Sequence, residues 1–194
     1  MNTSLLTTPN GESVPLFYYK KHPNLGVLDY FNWKRSGALK HYPESKNRYD
    51  TMLNIIVARF AKDFLTVELE FDGIVSPSST ATDADPYRIS LNRSGVTDFT
   101  KCFHRNGNVK SVRSTTLRQL IDDSTYTPNR KESQVSSLLI VDETVNSGMT
   151  IDATLYHLRQ AGLSPSCKIT VVTPAWMEKI GEDRNSAGSC SKIE

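Results

Sequence analysis

Leu138-Leu139-Ile140-Val141-Asp142-Glu143-Thr144-Val145-Asn146-Ser147-Gly148-Met149-Thr150 is the stretch whose reading decides the fold. Its four consecutive apolar residues, two of them β-branched, suit a strand buried on both faces rather than one alternating between core and solvent. Two adjacent acids follow where such a strand should end. A short polar turn, Asn146-Ser147-Gly148, then leads into a segment with helical spacing, where Ile151, Leu155 and Leu158 form one apolar stripe. Gly162 is placed to stop that helix at about Ala161, with Pro165 just beyond. In open parallel α/β sheets, ligands bind at the carboxyl ends of the strands. A helix starting there offers free N–H groups and a positive dipole end to an anion. Carboxylates beside an anion cradle fit a ligand that carries both hydroxyls and a phosphate.

Outward from this centre, the same periodicities place the other elements. Arg48 to Leu65 reads as a helix, with Met52, Leu53, Ile56, Val57, Phe60 and Phe64 on one stripe. Val67 to Val75 reads as a strand, because Val67, Leu69 and Phe71 alternate with Glu68, Glu70 and Asp72 before Gly73-Ile74-Val75. Ser76-Pro77-Ser78-Ser79-Thr80 is a loop at that strand's carboxyl end. Thr82 to Arg88 is polar and turn-rich. Asn92 to Asn108 reads as a long loop carrying Lys101, His104 and Arg105, and such loops in compact domains are usually functional or disordered. Ser114 to Ile121 is a short helix capped by Ser114 or Thr115, and Ser124 to Ser133 a polar connection. Lys168 to Thr173 is a last strand, ended by Pro174, with Ala175-Trp176-Met177 just past it.

Residues 1–15 read as an irregular arm, and Leu16 to Trp33 is dense in aromatics with lysines between them. The order of elements gives an α/β fold, a parallel-rich central sheet flanked by helices. Residues 1–47 form an N-terminal arm or hood region, 48–180 the core, and 181–194 a flexible tail.

Composition narrows the class. The 194 residues carry a net charge of +2, which gives no reason for general nucleic-acid or membrane binding. Cys102, Cys167 and Cys190 are scattered with no C-x-x-C pair, which argues against a disulfide framework or zinc site and fits a reducing cytoplasm. No basic-then-apolar leader and no apolar run of membrane-span length is present, so a soluble cytoplasmic protein is expected. His22, His41, His104 and His157 lack metal-ligand spacing. The chain contains none of G-x-x-x-x-G-K-[ST], G-x-G-x-x-G, H-E-x-x-H or G-x-S-x-G.

Val141 to Thr150 resembles the signature of the type I phosphoribosyltransferase family, whose strand, acidic pair, loop and helix bind the ribose and 5-phosphate of phosphoribosyl pyrophosphate. The acidic pair is Asp142-Glu143 and the phosphate loop Asn146-Ser147-Gly148-Met149-Thr150. A looser likeness to the ComF-like members lies in the aromatic-to-helix lead-in before the first strand. The resemblance implies a five-stranded core with helices on both sides and a small hood over the site. It implies ribose hydroxyls on Asp142 and Glu143, which would also help hold Mg²⁺ through water and ligand oxygens. Pyrophosphate would lie on Ser76, Ser78, Ser79 and Thr80. Lys101, His104 and Arg105 would belong to a mobile catalytic loop that stabilises the charge of the leaving pyrophosphate.

Two departures matter. Asn146 stands where members acting on 6-oxopurines usually have Asp, and an amide is neither acid nor base, which disfavours hypoxanthine or guanine as acceptor. The Ser76–Thr80 loop contains neither Gly nor a cation, so charge complementarity for pyrophosphate is weak.

The residues also admit plainer readings. The acids can cap a neighbouring helix, Ser147 can be a simple N-cap, Lys101 to Arg105 can be a solvated basic loop, and Trp176 with Met177 can wall a base or belong to the core. Two functions are therefore expected in turn. One is an enzyme that transfers ribose-5-phosphate to an acceptor and releases pyrophosphate. The alternative is a non-catalytic module that binds a nucleotide or phosphoribosyl group for regulation, within a protein or nucleic-acid complex, which the aromatic, basic N-terminal region motivates. A homodimer completes the expectations, with no membrane partner.

Overall fold

The computed structural model describes residues 1–21, 43–77, 81–105 and 116–176. In chain order these form β1 (Asn2–Thr7), β2 (Ser13–Lys21), α1 (Pro43–Leu65), β3 (Gly73–Val75), α2 (Ala81–Leu91) and β4 (Thr97–Asp98). After a 3₁₀ turn (Thr100–Cys102) come β5 (Phe103–Arg105), α3 (Leu117–Asp122) and β6 (Ser124–Tyr126). A second 3₁₀ turn (Glu132–Gln134) leads to β7 (Ser137–Val141), β8 (Thr144–Val145), α4 (Met149–Gln160) and β9 (Lys168–Trp176).

Strand β7 lies inside a sheet ordered β1-β2-β9-β7-β3-β4, with β8 also on β9. All neighbours are parallel except β1 and β2. The molecule is thus an α/β protein with a mixed, largely parallel central sheet. The buried run of β7 is split between two cores, as the two-residue period of a strand requires. Leu138 and Ile140 meet Ile151, Leu155 and Leu158 of α4 on one face. Leu139 and Val141 meet Phe60 and Phe64 of α1 and Tyr87 and Leu91 of α2 on the other.

The side on which the next strand is added reverses between β3 and β7. From β3 the chain crosses by α2 to β4 on one side, whereas from β7 it crosses by α4 to β9 on the other. The helices lie on opposite faces, as crossovers of one hand demand. The adjacent carboxyl ends of β3 and β7 are therefore a topological switch point.

Several expectations need correction. Residues 1–15 are not an irregular arm: β1 and the start of β2 add to the same sheet, since Leu6, Val14 and Leu16 are buried in the α4-side core. The strand expected over Val67 to Val75 is confined to Gly73–Val75, and Glu68 has a positive φ of 52° that breaks the alternation. The turn-rich Thr82 to Arg88 is inside α2 despite Pro86, because Ala84, Tyr87 and Leu91 are buried at helical spacing. The short helix α3 is capped by Thr116, whose hydroxyl accepts from the Gln119 amide in a complete capping box. Helix α4 matches its reading and stops at Gly162 (φ 105°), where the amides of Gly162 and Leu163 bond the carbonyls of Arg159 and Leu158. Among the described residues, no helix is long and apolar enough to cross a membrane.

The roots of β3 and β7 are tied by Asp72. Its carboxylate accepts the Ser136 hydroxyl at 2.6 Å, the Ser136 amide at 3.1 Å and the Ser137 amide at 2.9 Å. Burial acts to raise its pKa, but these hydrogen bonds outweigh it and hold the carboxyl below its ordinary value. A lowered folded-state pKa adds stability above the unfolded value, and that stability is lost as pH falls through the folded one. Asp72→Asn is therefore expected to be less stable than wild type at neutral pH. In urea titrations at a series of pH values, the gap should narrow below about pH 4, the ordinary aspartate value.

Candidate functional site at the carboxyl ends of β3 and β7

Asp142 and Glu143 sit at a bend that follows β7. Both are buried, at 1% and 7% exposure, so they are not solvated surface acids. The Asp142 amide continues the ladder by donating to the Val172 carbonyl at 3.1 Å. Asp142 Oδ2 accepts the Thr150 hydroxyl at 3.2 Å, which links the acidic pair to the first turn of α4.

Between them run β8 and the turn to α4. Asn146 is exposed, and Ser147, Met149 and Thr150 are half-buried. Gly148 is the N-cap residue in the left-handed region (φ 80°), and no side chain caps the helix through it. Ser147 Oγ reaches the Met149 amide only at 3.5 Å. The helix start thus keeps amides and a positive dipole end beside two buried carboxylates. The need for glycine is conformational rather than steric. A Cβ at Gly148 would meet Leu6 and Thr8 at an ordinary 3.5 Å. Gly148→Ala is therefore expected to fold and to lose only about 1–2 kcal/mol, the left-handed penalty for an L-residue, as measured by urea unfolding.

The root of the opposite loop is equally deep. The β3–β7 register pairs Val75 with Ile140, so Ser76 follows beside Val141. Ser76 is fully buried, and its amide donates to Thr100 Oγ1 at 2.9 Å. Among the described residues its own hydroxyl has no hydrogen-bond partner. Thr100 is held in turn, because its amide donates to Asp98 Oδ1 at 2.9 Å. Asp98 pairs with Arg88, which also bonds Asp85 at 2.8 Å. Sequence reading missed this Arg88–Asp98–Thr100 chain, since no spacing in the sequence brings α2 and the end of β4 together. Ser78, Ser79 and Thr80 lie outside the described residues.

The basic group lies in regular structure as far as Arg105. Lys101 is exposed in the first 3₁₀ turn, and His104 is exposed in β5. Arg105 ends β5, which pairs with β6 in a separate two-stranded sheet. The few apolar residues of the segment anchor it: Phe99 is fully buried, and Phe103 packs against Tyr126 at 4.7 Å and His157 at 6.0 Å. Those two phenylalanines, four residues apart, were the signal against a free loop.

Trp176 is not past the end of a strand. It pairs with Val145 inside β9 and packs against Tyr18 in a tilted ring pair at 5.0 Å, so it belongs to the core. Met177 lies outside the described residues. His157 is structural as well. Burial lowers its pKa, and its Nε2 lies 3.0 Å from Ser124 Oγ and 3.2 Å from the Ile121 carbonyl.

Among the described residues, no group of three or more His, Cys, Asp or Glu is placed to hold a metal ion. The two acids fit Mg²⁺ only in the manner in which one or two carboxylates supplement a ligand's own oxygens and water.

Fold and geometry together define an open α/β protein with a buried acidic pair and an uncapped helix start at its switch point. No family model matches the chain, and no curated protein matches it in sequence.

Proposed function

We propose that the chain is a phosphoribosyltransferase-type protein that binds phosphoribosyl pyrophosphate with Mg²⁺ at the carboxyl end of β7. The observation that carries this reading is the junction of Asp142 and Glu143 with the helix start at Gly148, at the reversal point of the sheet. The order β4-β3-β7-β9, with helices on both faces, supports the same fold type. A hood over the site is part of the reading.

In this account Asp142 and Glu143 accept the ribose hydroxyls, and the amides and hydroxyls of Asn146 to Thr150 hold the 5-phosphate. Thr150 would exchange its bond to Asp142 for one to the phosphate. The ion supplies charge neutralisation for the pyrophosphate when bound. Transfer breaks the bond between the anomeric carbon and the pyrophosphate oxygen and forms one to the acceptor. No side chain need act as a base if positioning and charge stabilisation carry the step. Lys101, His104 and Arg105 are the residues assigned to the leaving pyrophosphate.

A second reading, a phosphoribosyl- or nucleotide-binding module without turnover, is favoured by one observation. The Ser76 amide is already taken by Thr100, so the β3 end offers an anion less than the family pattern does.

Thermal unfolding tests the binding claim. Phosphoribosyl pyrophosphate with Mg²⁺ is expected to raise the melting temperature of wild type, and chelation of the ion to remove the shift; a ligand present at 100 times its Kd adds about 2.7 kcal/mol. No shift would remove the proposal. Pyrophosphate release with a panel of nitrogen acceptors separates the readings, since turnover on any of them rules out the module.

A further inference from the structure

We infer that Pro174 is a positioning residue for the acidic pair, holding the β7 ladder open at Asp142–Glu143; its consequence for ligands rests on the phosphoribosyl reading above. On either side of the acids, the pairing with β9 has the same register. Val141 faces Val172, and three residues further in both strands Thr144 faces Ala175. Strand β8 is therefore the continuation of β7, interrupted without a slip. Strand β9 itself runs unbroken from Lys168 to Trp176, and on its other edge β2 keeps one register with it from Leu16–Val171 to Lys21–Trp176, skipping only the pair opposite Pro174. Strand β2 stays continuous past that position, so the chain bends out of the sheet on the β7 side.

Its cause is a missing donor. The Val172 carbonyl points at β7, where it accepts the Asp142 amide. By the two-residue period of a strand, the amide of residue 174 would point the same way and meet the Asp142 carbonyl. Residue 174 is proline and has no N–H. The strand expected to end at Pro174 instead passes through it, with Thr173 Oγ1 accepting the Ala175 amide at 3.3 Å just beyond.

The consequence is geometric. Adjacent residues of a regular strand point to opposite faces of the sheet. In an unbroken β7–β8 strand, Asp142 and Glu143 would be divided between the two cores. Only a bend lets neighbouring acids serve one ligand, and Pro174 provides it from the strand alongside.

Pro174→Val restores an amide while keeping bulk at this buried position, and Pro174→Ala restores it with less volume. Both are compared with wild type by amide exchange, melting temperature and titration with phosphoribosyl pyrophosphate and Mg²⁺. The expected result is a residue-174 amide as protected as that of Val172, a melting temperature of the valine variant no lower than wild type, and at least tenfold weaker binding in both variants. An unprotected amide at residue 174 overturns the ladder mechanism, and wild-type affinity in both variants overturns the positioning role. A wild type that binds no phosphoribosyl pyrophosphate removes the phosphoribosyl reading and the ligand role together, while protection of the amide decides the ladder independently.

Discussion

Replacing Asp142 and Glu143 together by alanine is expected to abolish Mg²⁺-dependent binding of phosphoribosyl pyrophosphate. Hydrogen bonds to charged groups are worth about 1.5–3 kcal/mol each. Loss of one at each acid therefore weakens binding by at least about 100-fold. Asp142 is also bonded to Thr150, so its removal releases the first turn of α4 as well as the sugar. The shape-conserving pair Asp142→Asn and Glu143→Gln separates these effects. It keeps an acceptor for Thr150 but removes the negative charge, and a titration should still show a loss of tenfold or more. Binding at wild-type strength in the alanine double variant would mean that the ligand does not use these acids.

The largest effect on stability is expected from the other half of the same stretch. Leu139 is fully buried between β7 and the layer of α1 and α2, among Phe60, Phe64, Tyr87 and Leu91. Leu139→Ala removes apolar surface and leaves a cavity in a close-packed layer, which costs about 2–5 kcal/mol. For a chain of this size that lowers the melting temperature by roughly 5–15 °C. Helices pressed against both faces of β7 leave little freedom for the site to collapse. A loss under about 1 kcal/mol would show that β7 is not the centre of the packing.

Much of this architecture was legible because it rests on local rules. Four apolar residues in a row require two covered faces, and Leu138 to Val141 have them. The α1 stripe and the Gly162 stop followed from helical spacing and backbone geometry. What was not legible depended on partners distant in sequence. Nothing in Asn2 to Thr7 announces a strand, because a short edge strand needs only a neighbour, and β2 supplies it across a turn. Pro174 read as a terminator because proline breaks ladders. It does open the ladder to β7, but β2 keeps its register on either side of it, so β9 continues.

The site divides in the same way. The acidic pair and the glycine turn were readable as a contiguous motif, and they lie together at the switch point. The basic residues were read as a free loop because their stretch is mostly polar. Phe99 and Phe103 instead fix it to the core. The Arg88–Asp98–Thr100 chain, which occupies the Ser76 amide, joins three elements and leaves no trace in residue spacing.

The central claim is that a phosphoribosyl ligand sits on the helix start beside the acids, and amide hydrogen exchange read residue by residue tests it most directly. With phosphoribosyl pyrophosphate and Mg²⁺, the amides from Ser147 to Ile151 are expected to exchange at least tenfold more slowly than in the free protein. Chelating the ion should reverse the effect. Unchanged exchange over these amides at saturating ligand, or protection confined to another part of the chain, would contradict the account.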